Sequence, residues 1–105
     1  MQSNIKTLSF LSFFIATSAF GAKEFTNVTI KDVIVNMGTG IHFRINESMT
    51  NNESCAKSSW FKIESASTYE KEALSLLLSY EAQKKPVTVY ISGCTGGYPK
   101  LSYIY

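Results

Sequence analysis

Alternating apolar and polar positions predict short β-strands in the first half of this chain. Val28–Val35 places β-branched residues at nearly every second position, and Ile41–Ile45 alternates cleanly after a turn at Gly38–Gly40. A period of two is the pattern of a strand with one buried face. The two segments are therefore predicted to form a hairpin. Its core-facing residues are Ile41, Phe43 and Ile45, and its outward residues are His42 and Arg44.

A helical pattern replaces the alternation further along the chain. Ser67 precedes Glu70 by three residues, which is the spacing of a capping box, and Pro86 prevents the helix from continuing. The pattern predicts one apolar stripe between these limits. The stripe consists of Ala73, Leu76, Leu77 and Tyr80, widened by Leu74 and Leu78.

Three further strands complete the predicted order. Ser59–Ile63 precedes the helix, Val87–Ile91 follows it, and Leu101–Tyr105 comes after a turn-rich loop at Gly93–Pro99. Three strands, a helix and two strands is the order of an OB-fold, a five-stranded and partly open barrel. The predicted fold class is therefore mainly β with one helix, an OB-fold-like five-stranded barrel. A β-meander with a helix packed on it in another topology is the alternative.

The first residues are typical of a secretory signal peptide. The apolar run Leu8–Phe20 follows a short polar start, and Ala19 and Gly21 are small residues that suit a signal peptidase. Cleavage after Gly21 is predicted, with cleavage after Ala19 and a retained membrane anchor as alternatives. Residues 1–21 are thus interpreted as a signal peptide and 22–105 as a single secreted or periplasmic domain.

The chain has two cysteines, Cys55 and Cys94. A small exported domain commonly uses such a pair as a disulfide, because its hydrophobic core alone is marginal. We therefore predict that a Cys55–Cys94 disulfide closes the domain, with two free thiols as the alternative. The disulfide would hold the loop Asn51–Ser54 beside the loop Thr95–Tyr98.

Charge and composition argue against several classes of function. Without Lys6, nine basic side chains stand against eight acidic ones, which disfavours nucleic acid or anionic lipid as the main partner. His42 is the one histidine, and the sequence places no nucleophile or carboxylate beside it, so we expect a surface histidine and no enzyme. One histidine and two paired cysteines do not make a metal site, and no cofactor is expected.

The segment Glu72–Cys94 resembles the corresponding part of the Shiga toxin B subunit. In both, a helix carries the run Leu-Leu-Leu-Ser, here Leu76–Ser79, and a strand such as Val87–Val89 leads to a cysteine and a glycine-rich turn, here Gly96-Gly97. The spacing of one set of residues is also similar to that in the B subunits of subtilase- and pertussis-like toxins. This set is Cys55, Trp60, Leu77, Val87 and Cys94.

This resemblance implies an OB-fold protomer in a ring of five that binds host cell-surface glycans and carries a separate catalytic A subunit. Membrane contact would then be made only through glycans. The width that Leu74 and Leu78 add to the helix stripe fits contact with neighbouring protomers, or a deeply seated helix in a monomer. Tyr69–Lys71 stands where the Shiga B subunit has Asn-Arg-Trp, and only Gly97 matches a sugar-contact position. Globotriose specificity is therefore not implied.

A sugar site needs an aromatic face and directional polar groups, and the two loops beside the cysteines contain both. The candidate glycan-binding residues are Asn51, Asn52, Ser54, Trp60, Thr95, Gly96, Gly97 and Tyr98. Trp60 has an alternative place in the core, and Tyr98 in a rigid turn. The predicted function is a glycan-binding toxin B subunit. The alternative is a monomeric secreted or periplasmic OB-fold protein with a structural, adaptor or inhibitor role.

Overall fold

The computed structural model describes residues 22–50 and 54–105, which form a mainly β domain with one helix. The predicted signal peptide and the predicted site residues Asn51 and Asn52 lie outside these ranges. The elements are β1 (Lys23–Val28), β2 (Ile30–Asn36), β3 (Gly40–Ile45), β4 (Phe61–Lys62), α1 (Glu70–Gln83), β5 (Val87–Thr95) and β6 (Tyr98–Ile104). The predicted fold class is thus confirmed at this level, and so is the disulfide between Cys55 and Cys94.

The six strands form one sheet in the order β1-β5-β6-β4-β3-β2. Neighbouring strands are antiparallel, except for β4 and β6, which run parallel with Lys62 opposite Lys100. The prediction of a five-stranded barrel is wrong in this form, because the sheet is open and has six strands.

The additional strand arises at the start of the domain. Asn27 adopts a left-handed conformation with φ 56°, which asparagine tolerates better than most residues. The strand breaks at Thr29, so that β1 pairs with β5 whereas β2 pairs with β3. The alternating pattern predicts only one strand in this region and misses β1.

The core lies between the sheet and α1 and is entirely apolar. Phe43 and Phe61 have no exposed surface, and their rings pack edge to face at 5.5 Å between centroids. Its buried members are Phe25, Val28, Ile30, Ile41, Phe43, Ile45, Phe61, Ile63, Leu77, Val87, Val89 and Ile91. Ile41, Phe43 and Ile45 therefore face the core as the alternation predicts.

The other face of β3 departs from the prediction. His42 is only 3% exposed and Arg44 is half-buried, whereas the alternation predicts that both face solvent. The rings of Trp60 and Tyr98 lie against the His42 ring and cover it. Residues from distant parts of the chain thus bury a strand position that the local pattern marks as exposed.

The helix α1 begins and packs differently from its sequence prediction. Its N-cap residue, Tyr69, makes no side-chain capping bond. The Ser67 hydroxyl instead accepts a hydrogen bond from the Tyr69 N–H at 3.2 Å, so the predicted capping box is wrong and Ser67 closes the turn before the helix. Its core-facing residues are Ala73, Leu74, Leu77 and Tyr80, whereas Leu76 and Leu78 are exposed. No helix in the described ranges is both long and apolar enough to cross a membrane.

A tight hairpin joins β5 to β6. Gly96 and Gly97 both have positive φ, 57° and 87°, as a two-residue type I′ turn requires. Thr95 pairs directly with Tyr98 across this turn. The predicted loop Gly93–Pro99 is therefore mostly strand, with the two glycines in the turn and Gly93, whose φ is 79°, at a shift of the β5–β6 register.

Candidate ligand-binding site

The Cys55–Cys94 disulfide holds the chain before β4 against the end of the β5–β6 hairpin. The two Cα atoms lie 5.8 Å apart although 39 positions separate the residues in sequence. The Lys57 N–H donates a hydrogen bond to the Gly97 carbonyl at 2.8 Å. A Cβ atom on Gly97 would lie 3.7 Å from the Lys57 side chain. The described residues of the two loops thus lie in direct contact.

His42 lies where these loops meet β3. Its ring centroid is 4.8 Å from that of Tyr98 and 6.5 Å from that of Trp60, both in edge-on geometry. Its Nε2 lies 2.9 Å from the Thr39 hydroxyl. Its Nδ1 is buried and has no hydrogen-bond partner among the described residues. Since nearly all buried polar atoms are hydrogen-bonded, this nitrogen is a notable exception.

The surroundings of His42 favour its neutral form. Burial is the main cause that lowers the pKa of His42 from its ordinary value of 6.5, and the positive charges of Lys62 and Lys57 lower it further. Burial and the two lysines thus act in the same direction, against protonation of the ring.

Two cations lie over the aromatic rings of the site. The Arg44 guanidinium is 4.3 Å from the Trp60 centroid, and the Lys57 ammonium is 5.1 Å from the Tyr98 centroid. Both distances are within the range of a cation–π interaction. Arg44 is also paired with Asp32 at 2.5 Å. We call this group the aromatic–cationic cluster; it consists of His42, Arg44, Lys57, Trp60, Lys62 and Tyr98.

Lys62 belongs to the cluster although it is buried. It is 4% exposed, and its ammonium donates to the Ser65 hydroxyl at 3.1 Å and to the Ile63 carbonyl at 3.4 Å. Two glycines lie against its side chain: a Cβ atom on Gly40 would be 3.4 Å from Nζ, and one on Gly96 would be 3.5 Å from Cε. Glycine at these positions leaves room for the Lys62 side chain.

The structure distributes the predicted glycan-binding residues over the cluster and its edge. Trp60 and Tyr98 are half-buried members of the cluster, and Trp60 does not belong to the apolar core. Thr95 and Gly97 are half-buried beside Tyr98, and Ser54 and Gly96 are exposed. Asn51 and Asn52 lie outside the described residues, so their part in the site stays a prediction.

Four members of the cluster were not predicted from the sequence: His42, Arg44, Lys57 and Lys62. The alternation of β3 does place His42 and Arg44 on one face of the strand. The register that sets His42 opposite Lys62 is the signal that would have connected them. A pattern within one segment does not contain that register.

A second group of aromatic residues lies away from the cluster. Tyr103 stacks on Tyr90 with 4.7 Å between ring centroids, and its hydroxyl donates to Glu24 at 3.0 Å. Tyr105 follows in the same row, 6.0 Å from Tyr103. These rings lie on or next to the parts of β5 and β6 that are distant from the turn at Gly96-Gly97, and they contribute nothing to the site around His42.

The cluster brings together several kinds of group that can contact a ligand. It combines aromatic edges, cations and the hydroxyls of Thr39 and Ser65. In residues 22–50 and 54–105, no group of three or more His, Cys, Asp or Glu side chains is placed to hold a metal ion. A groove of about 450 Å³ lies beside the cluster, between the β2–β3 hairpin and α1, and Gly40 and Ser65 are among its lining residues. A second groove of about 540 Å³ lies between α1 and β6, away from the cluster.

A scan against protein-family models finds no family that matches this chain, and a search of curated proteins finds no relative.

Proposed function

We propose that this protein is the glycan-binding B subunit of a secreted bacterial toxin and delivers a separate catalytic A subunit. The observation that carries this proposal is the meeting of Trp60 and Tyr98 around His42, at the loops that the disulfide joins. Sugar recognition requires aromatic surface with fixed polar groups beside it, and the cluster has both. The resemblance of Glu72–Cys94 to the Shiga toxin B subunit supports the same function.

An OB-fold-like topology is part of the proposal. Thr29 alone separates β1 from β2, and these two strands occupy the outer positions of the sheet. With β1 and β2 counted as one bent strand, the order of strands and the parallel β4–β6 pair fit the five-stranded OB-fold. The helix lies between the third and fourth strands in this count, as the sequence predicts.

The position of the cluster supports a ligand site of the OB-fold type. OB-folds bind oligosaccharides or oligonucleotides with the loops between strands one and two and between strands four and five. In the count above, these are the turns 37–39 and 96–97. Thr39 in the first turn contacts His42, and Tyr98 directly follows the second.

Export and a ring of five protomers complete the proposal. A disulfide is consistent with a secreted or periplasmic location. Leu76 and Leu78 are 40% and 48% exposed on the two sides of the buried Leu77 of α1, and uncovered apolar side chains fit contact with neighbouring protomers. Five weak glycan sites on one ring would gain avidity by simultaneous attachment.

The assembly is tested by the mass of the mature, oxidised protein, measured by light scattering behind a sizing column. We expect a mass near five protomers. A monomer at micromolar concentration would contradict the ring. It would favour the monomeric structural, adaptor or inhibitor protein instead.

Glycan binding is tested on an array of host-type glycans with matched variants. We expect Trp60→Ala and Tyr98→Ala each to weaken binding about tenfold, since an aromatic contact is worth about 1.4 kcal/mol. Tyr105→Ala is the control, because Tyr105 is 66% exposed and lies away from the cluster. Absence of glycan binding by the wild-type protein, or an equal loss in the control, would rule the proposal out.

A further inference from the structure

The aromatic–cationic cluster contains more positive charge than its described carboxylates balance. Arg44 is paired with Asp32. Within the described ranges, neither Lys57 nor Lys62 has a carboxylate at ion-pair distance, and the other ion pair there joins Lys100 to Glu64 outside the cluster. Two positive charges of the cluster are therefore left without an acidic partner in this part of the chain.

Lys62 is the more informative of these two cations. A buried ammonium is costly unless an anion or a full set of hydrogen bonds compensates for its lost hydration. An ammonium has three donors, but its acceptors among the described residues are two neutral oxygens, at 3.1 and 3.4 Å. The local structure thus holds a positive charge in place with an incomplete set of partners.

The groove beside the cluster is lined by the side chain that holds this ammonium. Gly40 and Ser65 line the groove of about 450 Å³, and the Ser65 hydroxyl is hydrogen-bonded to Lys62. A side chain at position 40 would collide with this pair, because its Cβ atom would lie 2.9 Å from the Ser65 hydroxyl. Glu70 and Lys71 also line the groove, and their opposite charges offset each other.

We propose that the cluster binds glycans through an anionic group, a carboxylate or a sulfate ester, which pairs with the Lys62 ammonium and is attracted by Lys57. This inference rests on the proposed glycan-binding function and specifies its ligand. A neutral sugar would stack on the aromatic rings but leave both lysines without a counter-charge. An acidic sugar would both stack on the aromatic rings and supply the counter-charge for the lysines.

His42 provides a direct readout of this binding mode. Its ring faces Lys62 of β4, Lys57 of the preceding loop, Thr39 of the hairpin and Tyr98 of β6, and Arg44 lies two positions along its own strand. A bound anion would offset the positive potential of the lysines at the ring. The pKa of His42 should therefore rise when an acidic ligand binds, and stay unchanged when a neutral ligand binds.

The experiment uses three ligands with one common core: lactose, its 3′-sialyl derivative and its 3′-sulfo derivative. Calorimetry gives their affinities for the oxidised protein, and NMR titration of the ring protons gives the His42 pKa with each ligand. We expect both acidic derivatives to bind at least about tenfold more tightly than lactose, to weaken with added salt and to raise the His42 pKa. A difference between the two derivatives assigns the preferred group to carboxylate or sulfate.

Matched variants assign the effect to the cluster. The exposed Lys57→Gln should reduce the preference for acidic ligands several-fold, whereas Lys84→Gln, on the exposed end of α1, should leave it unchanged. Lys62→Gln should abolish the preference. If Lys62→Gln does not fold, Lys57→Gln and the His42 pKa still decide the question.

The contrary results distinguish failure of the anionic-ligand proposal from failure of the proposed glycan-binding function. Equal binding of lactose and its acidic derivatives, with an unchanged His42 pKa, would overturn the anionic ligand but leave glycan binding intact. Failure of all three lactose ligands and of the glycan array would overturn the proposed function itself. Tighter binding of a short oligonucleotide than of any glycan would assign the cluster to nucleic acid and overturn both.

Discussion

At the residue scale, His42 shows that the surroundings of a side chain can override its place in a strand pattern. It alternates with Ile41 and Phe43 and does lie on the opposite face of β3 from them. That face is nevertheless covered, because Trp60 and Tyr98 pack edge-on against the imidazole. The result is a buried, neutral histidine whose Nδ1 lacks a partner among the described residues.

The free energy of unfolding should fall as the pH is lowered through the titration of His42. Because the pKa of His42 is lowered in the folded protein, the unfolded chain, with a pKa of about 6.5, takes up the proton first. The stabilisation from neutral His42 is therefore fully present above the unfolded pKa. It is lost as the pH falls through the folded pKa. Urea unfolding at a series of pH values between neutral and mildly acidic measures this loss.

The matched control for this titration is His42→Gln, which keeps a polar side chain but does not titrate. Carboxylates contribute equally to the pH dependence of both proteins. The wild-type protein should therefore lose more stability than the variant on acidification. Parallel curves for the two proteins would contradict a lowered His42 pKa.

At the scale of the elements, α1 shows where a periodic pattern is reliable and where it is ambiguous. The run of three leucines predicts a helix, and the helix is present over Glu70–Gln83. Three consecutive leucines do not share one helix face, since successive residues are about 100° apart. Only Leu77 is fully buried, whereas Leu76 and Leu78 are partly exposed to solvent.

The three leucines of α1 should therefore differ in their contribution to stability. Leu77→Ala leaves a cavity in the core and is expected to lower the free energy of unfolding by about 2–5 kcal/mol. Leu78→Ala removes a side chain that is 48% exposed and should cost less than about 1 kcal/mol. Urea unfolding of both variants at low protein concentration measures the difference. A large cost for Leu78→Ala under these conditions would show that this face of α1 is covered.

At the scale of the whole molecule, the disulfide joins the two halves of the domain at the candidate site. It connects the segment before β4 to the end of β5, and the hydrogen bond from Lys57 to Gly97 lies next to it. Trp60 and Tyr98 reach His42 from these two segments. Stability and site geometry therefore depend on the same covalent link.

Replacement of both cysteines by serine, Cys55→Ser with Cys94→Ser, should destabilise the domain by about 4 kcal/mol, from the loop entropy that the link removes in the unfolded chain. The looser loops should also let water reach His42 and return its pKa toward 6.5. Urea unfolding and NMR titration of the variant measure the two effects. A variant with wild-type stability and an unchanged His42 pKa would show that apolar contacts alone hold the loops together.

The sequence by itself determined the local structure of this protein. The spacing of apolar residues and the positions of glycine and proline predict the helix, the β2–β3 hairpin and the core face of β3. Each of these depends on residues that are close along the chain. The predicted signal peptide and the two cysteines together predict the disulfide. Two of the six cluster members were also predicted in this way, since Trp60 and Tyr98 stand near those cysteines in the sequence.

The tertiary structure alone decided which polar residues are buried and which of them meet. The local alternation of apolar and polar residues does not predict β1, because its pairing with β5 joins residues more than sixty positions apart, such as Lys23 and Ile91. His42 and Lys62 are brought together by the register of β3 with β4. Their burial arises only when the loops before β4 and after β5 close over them. Contacts between distant segments have no period along the chain, so the site around His42 emerges only when those segments fold together.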